Sequence, residues 1–160
     1  MLPLGDSVKE TAAVIKKCDN CGILDVIIPC KICSSDNRSK KTICIVEDMA
    51  DVWAFERSGY HKGLYHVIGG LLSAAKNFTE QDLKLNKLRE RIEINQVQEI
   101  ILALSATIEG QTTALVIKDA LESLNIKITQ LAYGVPVGSE IHYLDDNTLG
   151  AALESRKNLG

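Results

Sequence analysis

The sequence has few aromatic residues and no long apolar run. Phe, Trp and Tyr together make up 4% of the 160 residues, which argues against a platform of rings for stacking nucleic-acid bases. No apolar stretch reaches the roughly 20 residues of a membrane-spanning helix. The N-terminus also lacks the charged-then-apolar pattern of a signal peptide. These absences predict a soluble cytoplasmic protein with no membrane association.

An excess of basic residues is missing as well. The chain has 18 Lys and Arg residues against 21 Asp and Glu residues, and its net charge is −3. Nucleic acid is therefore not expected to contact the whole surface, and any such binding would depend on a local basic patch. With 46% hydrophobic and 24% charged residues, the composition is ordinary for a globular protein with one main domain and a small module.

Four of the five cysteines lie in one short segment, CDNCGILDVIIPCKIC. Cys18 and Cys21 form one Cys-x-x-Cys pair, Cys30 and Cys33 form a second, and eight residues separate the pairs. Two such turns can close a tetrahedron of thiolates around Zn²⁺. Two disulfides or a redox motif are the alternatives, but nothing indicates an oxidising compartment and a redox motif needs no second pair. We predict a closed structural zinc site, with Cys44 as a small core residue.

A polar linker, SSDNRSKK at residues 34–41, follows the cysteines. A solvated linker is one interpretation of its cations, and contact with phosphate groups is the other. Together with neighbouring lysines, the linker supplies the candidate DNA contacts. These are Lys16, Lys17, Lys31, Arg38, Lys40 and Lys41.

Strand patterns alternate with helix patterns from residue 42 onward. β-Branched and apolar runs predict strands within TICIV, GLYHVIGG, EIILAL and KITQLA. Amphipathic periodicity predicts helices within MADVWAFERSG, LKLNKLRERIEI and SATIEGQTTALVIKDALESLN. This alternation indicates an α/β fold with a mostly parallel sheet flanked by helices, preceded by the small four-cysteine zinc module.

The periodicity also predicts some details of the helices. A first helix is expected to be capped by Asp6 or Ser7 and to end at residues 16–17, because the helix dipole favours the two lysines at a C-terminus. In the second predicted helix, Val52 and Phe55 are placed towards the interior, with Trp53 as a further candidate. In the third, Arg91 is placed on the outer face.

The tail begins with a loop that contains Gly134, Pro136 and Gly138. This loop predicts an oligomer interface or a nucleotide-like loop, and a plain turn is the alternative. A short strand over EIHYL and a final helix capped by Asp146 or Asn147 are expected to follow.

Acidic residues follow two of the predicted strands. Glu47 and Asp48 end the first strand, and Glu109 follows the third. Ligands of parallel sheets gather at the carboxyl ends of strands, where convergent carboxylates can hold Mg²⁺. Alternatively, each acid caps the helix that follows it. The spacing leaves both interpretations open.

Several stretches together resemble the RecR family of recombination-repair proteins. They are the four-cysteine segment, the strand ending in IVED, GLYHVIGGLLSA, ILALSATIEGQTTAL and the tail LAYGVPVGSEIHYLDDNTLGAALESRKNL. The resemblance implies a helix leading into the finger at 1–17, a zinc finger at 18–33, the basic linker at 34–41, a Toprim domain at 42–133 and a Walker-B-like C-terminal segment at 134–160. It also implies an N-terminal helix-hairpin-helix, for which we find no Gly-rich hairpin, so we expect this chain to be a fragment without it.

The resemblance further implies a function. RecR-like proteins are non-enzymatic, DNA-binding mediators of recombination and repair that form dimeric or tetrameric rings. They act with RecO and RecF at gapped or single-stranded DNA, so a nucleoid-associated location is expected.

Toprim enzymes, in contrast, use a glutamate after the first strand and a D-x-D-x-E-G-E motif with Mg²⁺. Glu47 matches the first position, but the later motif reads SATIEGQ, with Ser105 and Thr107 at the aspartate positions and Gln111 at the last acid. A site that has lost this charge should hold Mg²⁺ weakly and stabilise little transition-state charge.

The sequence leaves two alternative functions open. The first is a Mg²⁺-dependent Toprim nuclease or topoisomerase, with Glu47, Asp48 and Glu109 as metal ligands. The second is a fragment that docks RecO through these same three acids and binds no DNA itself.

Overall fold

The computed structural model describes residues 4–160. The helices are α1 (Leu4–Val14), α2 (Lys31–Ser34), α3 (Met49–Ser58), α4 (Leu85–Asn95), α5 (Ile108–Leu121) and α6 (Asp146–Glu154). The strands are β1 (Lys16–Lys17), β2 (Leu24–Asp25), β3 (Thr42–Val46), β4 (Leu64–Val67), β5 (Glu99–Ala103) and β6 (Lys127–Gln130). Short 3₁₀ helices cover Glu80–Leu83, Glu122–Leu124 and Ile141–Tyr143.

A four-stranded sheet forms the centre of the larger unit, in the order β4-β3-β5-β6. Strand β3 pairs in parallel with both β4 and β5, and Val46 is in register with Val67 on one side and with Ala103 on the other. The carboxyl ends of these three strands therefore meet at one edge of the sheet. The predicted α/β fold with a mostly parallel sheet and flanking helices is confirmed.

Strand β3 is buried on both faces, as a continuously apolar run predicts. Because side chains alternate along a strand, Ile43 and Ile45 contribute to one apolar cluster, which includes residues of α4 and α5. Cys44 and Val46 contribute to the other, which includes Val52 of α3. Cys44 is 1% exposed, so its predicted role as a core residue is confirmed.

Helix α3 begins and ends where its sequence predicts. Asp48 accepts hydrogen bonds from the backbone of Ala50 and Asp51, and the Asp51 carboxylate bonds back to the backbone of Asp48, forming a capping box. Gly59 ends the helix in the left-handed conformation, with φ of 72°. The carboxylates of Asp48 and Asp51 are therefore held in place by the hydrogen bonds that begin α3.

Two predicted side-chain positions are wrong. Trp53, expected inside, is 65% exposed, because Val52 occupies the inward position of that helical turn. Arg91, expected outside, is only 7% exposed. Hydrogen bonding compensates for the burial of its guanidinium. Nη1 donates a 2.9 Å hydrogen bond to the Tyr65 carbonyl and lies 3.3 Å from Nδ1 of His66.

The N-terminal helix also differs from its prediction. Asp6 and Ser7, predicted as caps, both lie within α1. Lys16 and Lys17 do not end the helix. They form strand β1, which pairs antiparallel with Leu24–Asp25, because the cysteine turn between the two strands reverses the chain.

The last part of the chain, Gln130–Gly160, forms a compact unit distinct from the one that ends at Thr129. The predicted strand over EIHYL is wrong, since residues 141–143 form a 3₁₀ helix. The final helix exists, but its cap is Asp145 and not Asp146 or Asn147. The carboxylate of Asp145 accepts a 2.8 Å hydrogen bond from the backbone N–H of Thr148.

None of the helices in the described part of the chain is long and apolar enough to cross a membrane.

Candidate zinc centre, acidic strand end and basic surface

The first cysteine pair lies on a tight turn. Backbone hydrogen bonds from Cys18 to the Ile23 carbonyl, 2.7 Å, and from Gly22 to the Cys18 carbonyl, 2.8 Å, close this turn. Gly22 has a positive φ of 81°, and a Cβ atom at this position would lie 2.7 Å from the carbonyl oxygen of Val67. Glycine is therefore required here both by the conformation and by the close approach of β4.

The second pair lies on the short helix α2. Cys30 is its N-cap, and its Sγ accepts the backbone N–H of Cys33 at 3.4 Å. A cysteine at this position aims its sulfur towards the helix start, where N–H groups stabilise a thiolate. The fold of each Cys-x-x-Cys turn thus presents two sulfurs to one centre.

All four cysteine sulfurs lie within 4.8 Å of one another, and Cys21 and Cys30 are 3.5 Å apart. With Zn–S bonds of about 2.3 Å, tetrahedral zinc places its sulfurs about 3.8 Å apart, so the set fits zinc with a small contraction. Cys18, Cys21 and Cys30 are buried and Cys33 is half-buried. Four thiolates leave no open coordination position, which is the arrangement of a structural site.

The thiols of Cys21, Cys30 and Cys33 influence one another strongly. Hydrogen bonding with Cys30 raises the pKa of the Cys21 thiol, and burial acts in the same direction. The same interaction lowers the pKa of Cys30. The cluster therefore retains protons that a divalent cation must displace, and zinc affinity should rise with pH.

The cysteine turn packs directly on the sheet. The carbonyl of Cys21 accepts a 2.7 Å hydrogen bond from the backbone N–H of Val67 in β4. Three of the cysteines belong to the apolar cluster that also contains Val46, Val52 and Tyr65. A metal ion here would brace the edge of the sheet as well as the four-cysteine segment itself.

The two carboxylates that follow β3 both accept hydrogen bonds from neighbouring groups of the protein. Glu47 is half-buried, and its Oε2 accepts a 3.1 Å hydrogen bond from Oγ of Ser105, beyond the end of β5. Asp48 is exposed and caps α3 through the N–H groups of Ala50 and Asp51. The capping interpretation of Asp48 is confirmed.

Glu109 is exposed in the first turn of α5, whose N-cap is Thr107. Gly110 follows it, and a Cβ atom there would overlap the carbonyl of Ser105. The glycine thus lets α5 begin close to the end of β5.

The acids at this edge do not converge as the cysteines do. Among residues 4–160, the one group of three or more His, Cys, Asp or Glu side chains close enough to share an ion is the four-cysteine cluster. Glu47, Asp48 and Glu109 are not brought together in this way, and a magnesium site there stays a prediction.

Arg38 in the linker is held by the protein itself. Its guanidinium forms a two-pronged ion pair with Glu56, at 2.8 and 3.0 Å, and its Nε donates to the Gly63 carbonyl at 2.8 Å. It also lies 5.6 Å from the ring centre of Tyr65, whose hydroxyl donates to Glu56 at 2.6 Å. The linker is therefore fastened to the edge of the sheet at Arg38.

The other predicted DNA contacts are exposed. Nζ of Lys41 lies 3.4 Å from the carbonyl of Asn95 and 3.3 Å from that of Gln96, at the C-terminus of α4, where the helix dipole favours a cation. The remaining four carry no side-chain bond within the described residues. They are Lys16 and Lys17 on β1, Lys31 at the start of α2, and Lys40 in the linker.

Sequence reasoning missed the buried pair of Arg91 and His66, and it missed Glu56 as the partner of Arg38. Arg91 had a detectable signal, because it lies three residues after Leu88 and so shares the inner face of α4. No signal in the sequence indicated Glu56, because its partner Arg38 is distant in sequence.

Comparison with known proteins agrees with this architecture. The Toprim domain family matches residues 41–132, and the family described as RecR, C-terminal matches residues 134–157. Recombination protein RecR of Maricaulis maris is 48% identical over 159 residues, which cover 99% of this chain and 79% of the relative. The RecR of Rhodospirillum rubrum is 50% identical over 157 residues, covering 98% of this chain and 80% of the relative. The chain therefore belongs to the RecR family, and its parallel sheet is that of a Toprim domain.

Proposed function

We propose that this protein binds DNA as a scaffold in recombination and repair, acting with RecO and RecF at gapped or single-stranded DNA. The observation that carries this proposal is the match of 98–99% of the chain to proteins named Recombination protein RecR. The location proposed with it is cytoplasmic and nucleoid-associated.

The geometry of the strand ends supports binding and not catalysis. A Toprim enzyme needs several carboxylates around Mg²⁺ to stabilise charge in the transition state. Here Glu47 is bonded to Ser105, Asp48 caps a helix, and the aspartate positions of the later motif are neutral. Too little negative charge converges at this edge to organise the ion that strand cleavage requires.

The zinc centre is proposed as structural. Its residues are Cys18, Cys21, Cys30 and Cys33, and the closeness of their sulfurs supports this assignment. The proposed division into a helix at 1–17, a finger at 18–33, a linker at 34–41, a Toprim domain at 42–133 and a C-terminal segment at 134–160 follows the family resemblance.

Exposed lysines around the finger are proposed to contact DNA phosphates. Lys16, Lys31 and Lys40 are exposed, and their ammonium groups form no ion pair among the described residues, although the Asp25 carboxylate accepts a 2.9 Å hydrogen bond from the backbone N–H of Lys31. Arg38 contributes less in this proposal, because Glu56 already neutralises its charge. A local patch of this kind is compatible with a net charge of −3, since phosphate contacts act over short range in physiological salt.

The acidic edge is proposed to face RecO. Glu47 and Asp48 directly follow β3, and Glu109 lies in the first turn of α5, the helix that follows the adjacent strand β5. Asp48 and Glu109 are exposed. A Glu109→Lys substitution should weaken binding to RecO and leave DNA affinity intact. Equal RecO binding by this variant and by a Glu93→Lys control on exposed α4 surface would remove the acidic edge from the docking site.

Assembly into a dimeric or tetrameric ring is proposed as well, with the loop Gly134–Gly138 at an interface. Within its own compact unit this loop lies against α6, since a Cβ atom at Gly134 would be 3.6 Å from Cα of Ala152. Sedimentation of the parent chain and of a Val137→Asp variant tests this, because Val137 is fully exposed and apolar. An unchanged mass would exclude the loop from the interface.

The DNA contacts are tested by reversing charge at Lys16 and Lys40. In fluorescence anisotropy with a labelled oligonucleotide, the double variant Lys16→Glu/Lys40→Glu should bind more weakly and show a shallower dependence on salt. The matched control is Lys76→Glu/Lys118→Glu, which changes the charge equally on exposed positions outside the finger. Identical salt slopes for both double variants would contradict the proposed surface.

A further inference from the structure

A cavity of about 330 Å³ lies between the first cysteine turn and the start of α4. Three lysines line it, Lys17 from β1 and Lys84 and Lys87 from the start of α4, against one acid, Asp19. The lining therefore carries an excess of positive charge in a chain that is acidic as a whole. This basic cavity, as we name it, includes two lysines that the sequence did not single out.

The start of α4 contributes Lys84 and Lys87 to the lining of the basic cavity. The helix has 11 residues, and no side chain caps its first turn. Lys84 is the N-cap residue, and its positive φ of 54° turns the chain into the helix. The positive end of the helix dipole favours an anion close to these two lysines.

His66 provides an independent indication of a ligand. It lines the basic cavity and is 3% exposed. The guanidinium of Arg91 can only donate, so Nδ1 of His66 accepts from it at 3.3 Å and Nε2 carries the hydrogen. Within the described residues, this Nε2 makes no well-formed hydrogen bond, although the Leu83 carbonyl lies close enough to raise the pKa of the ring. Buried donors are rarely left without an acceptor.

Electrostatics keep the imidazole neutral. Burial lowers the pKa of His66 to about 4, the nearby charge of Arg91 acts in the same direction, and the Leu83 carbonyl opposes them. At neutral pH, His66 therefore presents an N–H group and not a cation. Neutral donors combined with lysine ammonium groups suit a phosphate oxygen, which accepts several hydrogen bonds.

We propose that the basic cavity binds a phosphate group, and that this group is a phosphodiester of a DNA strand. This assignment of the strand rests on the DNA binding proposed above. Asp19 also lines the cavity. Its negative charge limits the charge that the cavity can accept, which favours a singly charged diester over a nucleoside triphosphate.

The first test removes the two helix lysines. The variant Lys84→Gln/Lys87→Gln keeps the side-chain length, and Gln96 shows that glutamine adopts the left-handed conformation needed at position 84. Anisotropy with a labelled single-stranded oligonucleotide should show affinity about tenfold weaker and a salt slope lower by about 1. Lys76→Gln/Lys118→Gln is the control of equal charge, and zinc content and circular dichroism verify that each variant is folded.

The second test observes the cavity directly. Inorganic phosphate should shift the NMR signals of the His66 imidazole and of the backbone amides of Asp19 and Gly22, which line the cavity, in the parent chain and not in the Lys84→Gln/Lys87→Gln variant. An oligonucleotide should shift the same signals at far lower concentration, whereas equal potency of phosphate or a nucleoside monophosphate would assign the cavity to a free ligand.

The outcomes separate this proposal from the proposed function. DNA binding that is equal in the two double variants, with no change at His66 on adding phosphate, would overturn the cavity proposal and leave DNA binding intact. A parent chain that binds no DNA would overturn the proposed function. The phosphate-induced shifts would then decide whether the cavity is an anion site.

Discussion

Arg38 shows how a single side chain fastens the linker after the four-cysteine segment to the Toprim sheet. It is the one linker cation whose charge is paired with an acid in the described structure, and its side chain is 16% exposed. Replacing it with methionine leaves Glu56 without its cation and the Gly63 carbonyl without its donor.

We expect Arg38→Met to lower the free energy of unfolding by about 2 kcal/mol, since it removes hydrogen bonds to a charged group in a partly buried position. Urea denaturation of the zinc-loaded protein measures the change. Lys62→Met, at an exposed neighbouring position, is the control and should stay within about 0.5 kcal/mol of the parent. Equal stability of Arg38→Met and the parent would show that the ion pair contributes nothing.

The same pair predicts a dependence on pH. Burial would raise the pKa of Glu56, but the hydrogen bonds from Arg38 and Tyr65 outweigh it and lower the pKa. A carboxyl whose pKa is lower in the folded state stabilises the fold above its unfolded-state value of about 4.3. The stability difference between parent and Arg38→Met should therefore be constant near neutral pH and shrink as the pH falls below that value. A difference that grows in acid would have the wrong sign.

Gly110 is a second residue whose effect can be predicted. A methyl group there would overlap the Ser105 carbonyl, so the start of α5 must move away from the end of β5. We expect Gly110→Ala to cost about 2 kcal/mol or more, as overpacking does. Gly5→Ala in α1 meets no atom within 4 Å and should be neutral or slightly stabilising. If both variants were equally stable, the close approach would be without consequence.

At the scale of elements, the zinc finger is expected to act as part of the sheet. Cys30→Ser should lose bound zinc and cost at least about 3 kcal/mol, because structural zinc contributes its binding energy to folding. Hydrogen exchange should accelerate in β3 and β4 together with the finger, since they share one apolar cluster. Cys44→Ala is the control, because it removes a buried thiol that is not in the metal set.

Zinc analysis should find one ion in Cys44→Ala and none in Cys30→Ser. Faster exchange confined to residues 18–33 in the Cys30→Ser variant would contradict the shared core.

Elements with a strong local signal could be predicted from the sequence, and others could not. Strand β3 is a β-branched and apolar run, and α3 has both its capping acid and its terminal glycine, so local rules sufficed. The segment EIHYL has the alternation of a strand but forms a 3₁₀ helix, because no neighbouring strand in its unit supplies a hydrogen-bonding edge. Lys16–Lys17 became a strand through pairing with β2, which helix propensity does not reveal.

The candidate sites follow the same division. The cysteine set was predictable, because metal-ligand spacing is encoded within 16 residues of sequence. Contacts between distant segments form the other features. They create the ion pair of Arg38, the buried pair of Arg91 and His66, and the cavity at the start of α4. Long-range electrostatic pairing of this kind leaves no periodic pattern in the chain.

At the scale of the whole molecule, the surface proposed to bind DNA and the surface proposed to bind RecO have opposite charge. Exposed lysines surround the finger and the start of α4, while exposed acids lie at the carboxyl edge of the sheet. Because the net charge is −3, DNA affinity should come from the local basic surface and decline steeply with salt.

One measurement tests the central claim, that this Toprim domain binds DNA without cleaving it. Zinc-loaded protein is incubated with supercoiled plasmid and Mg²⁺, and each sample is run on a gel both native and after the protein is removed. We predict retarded native bands and intact supercoiled plasmid after deproteinisation. Nicked or relaxed plasmid, lost in a Glu47→Gln variant, would show that the acidic edge still supports catalysis and would contradict the account.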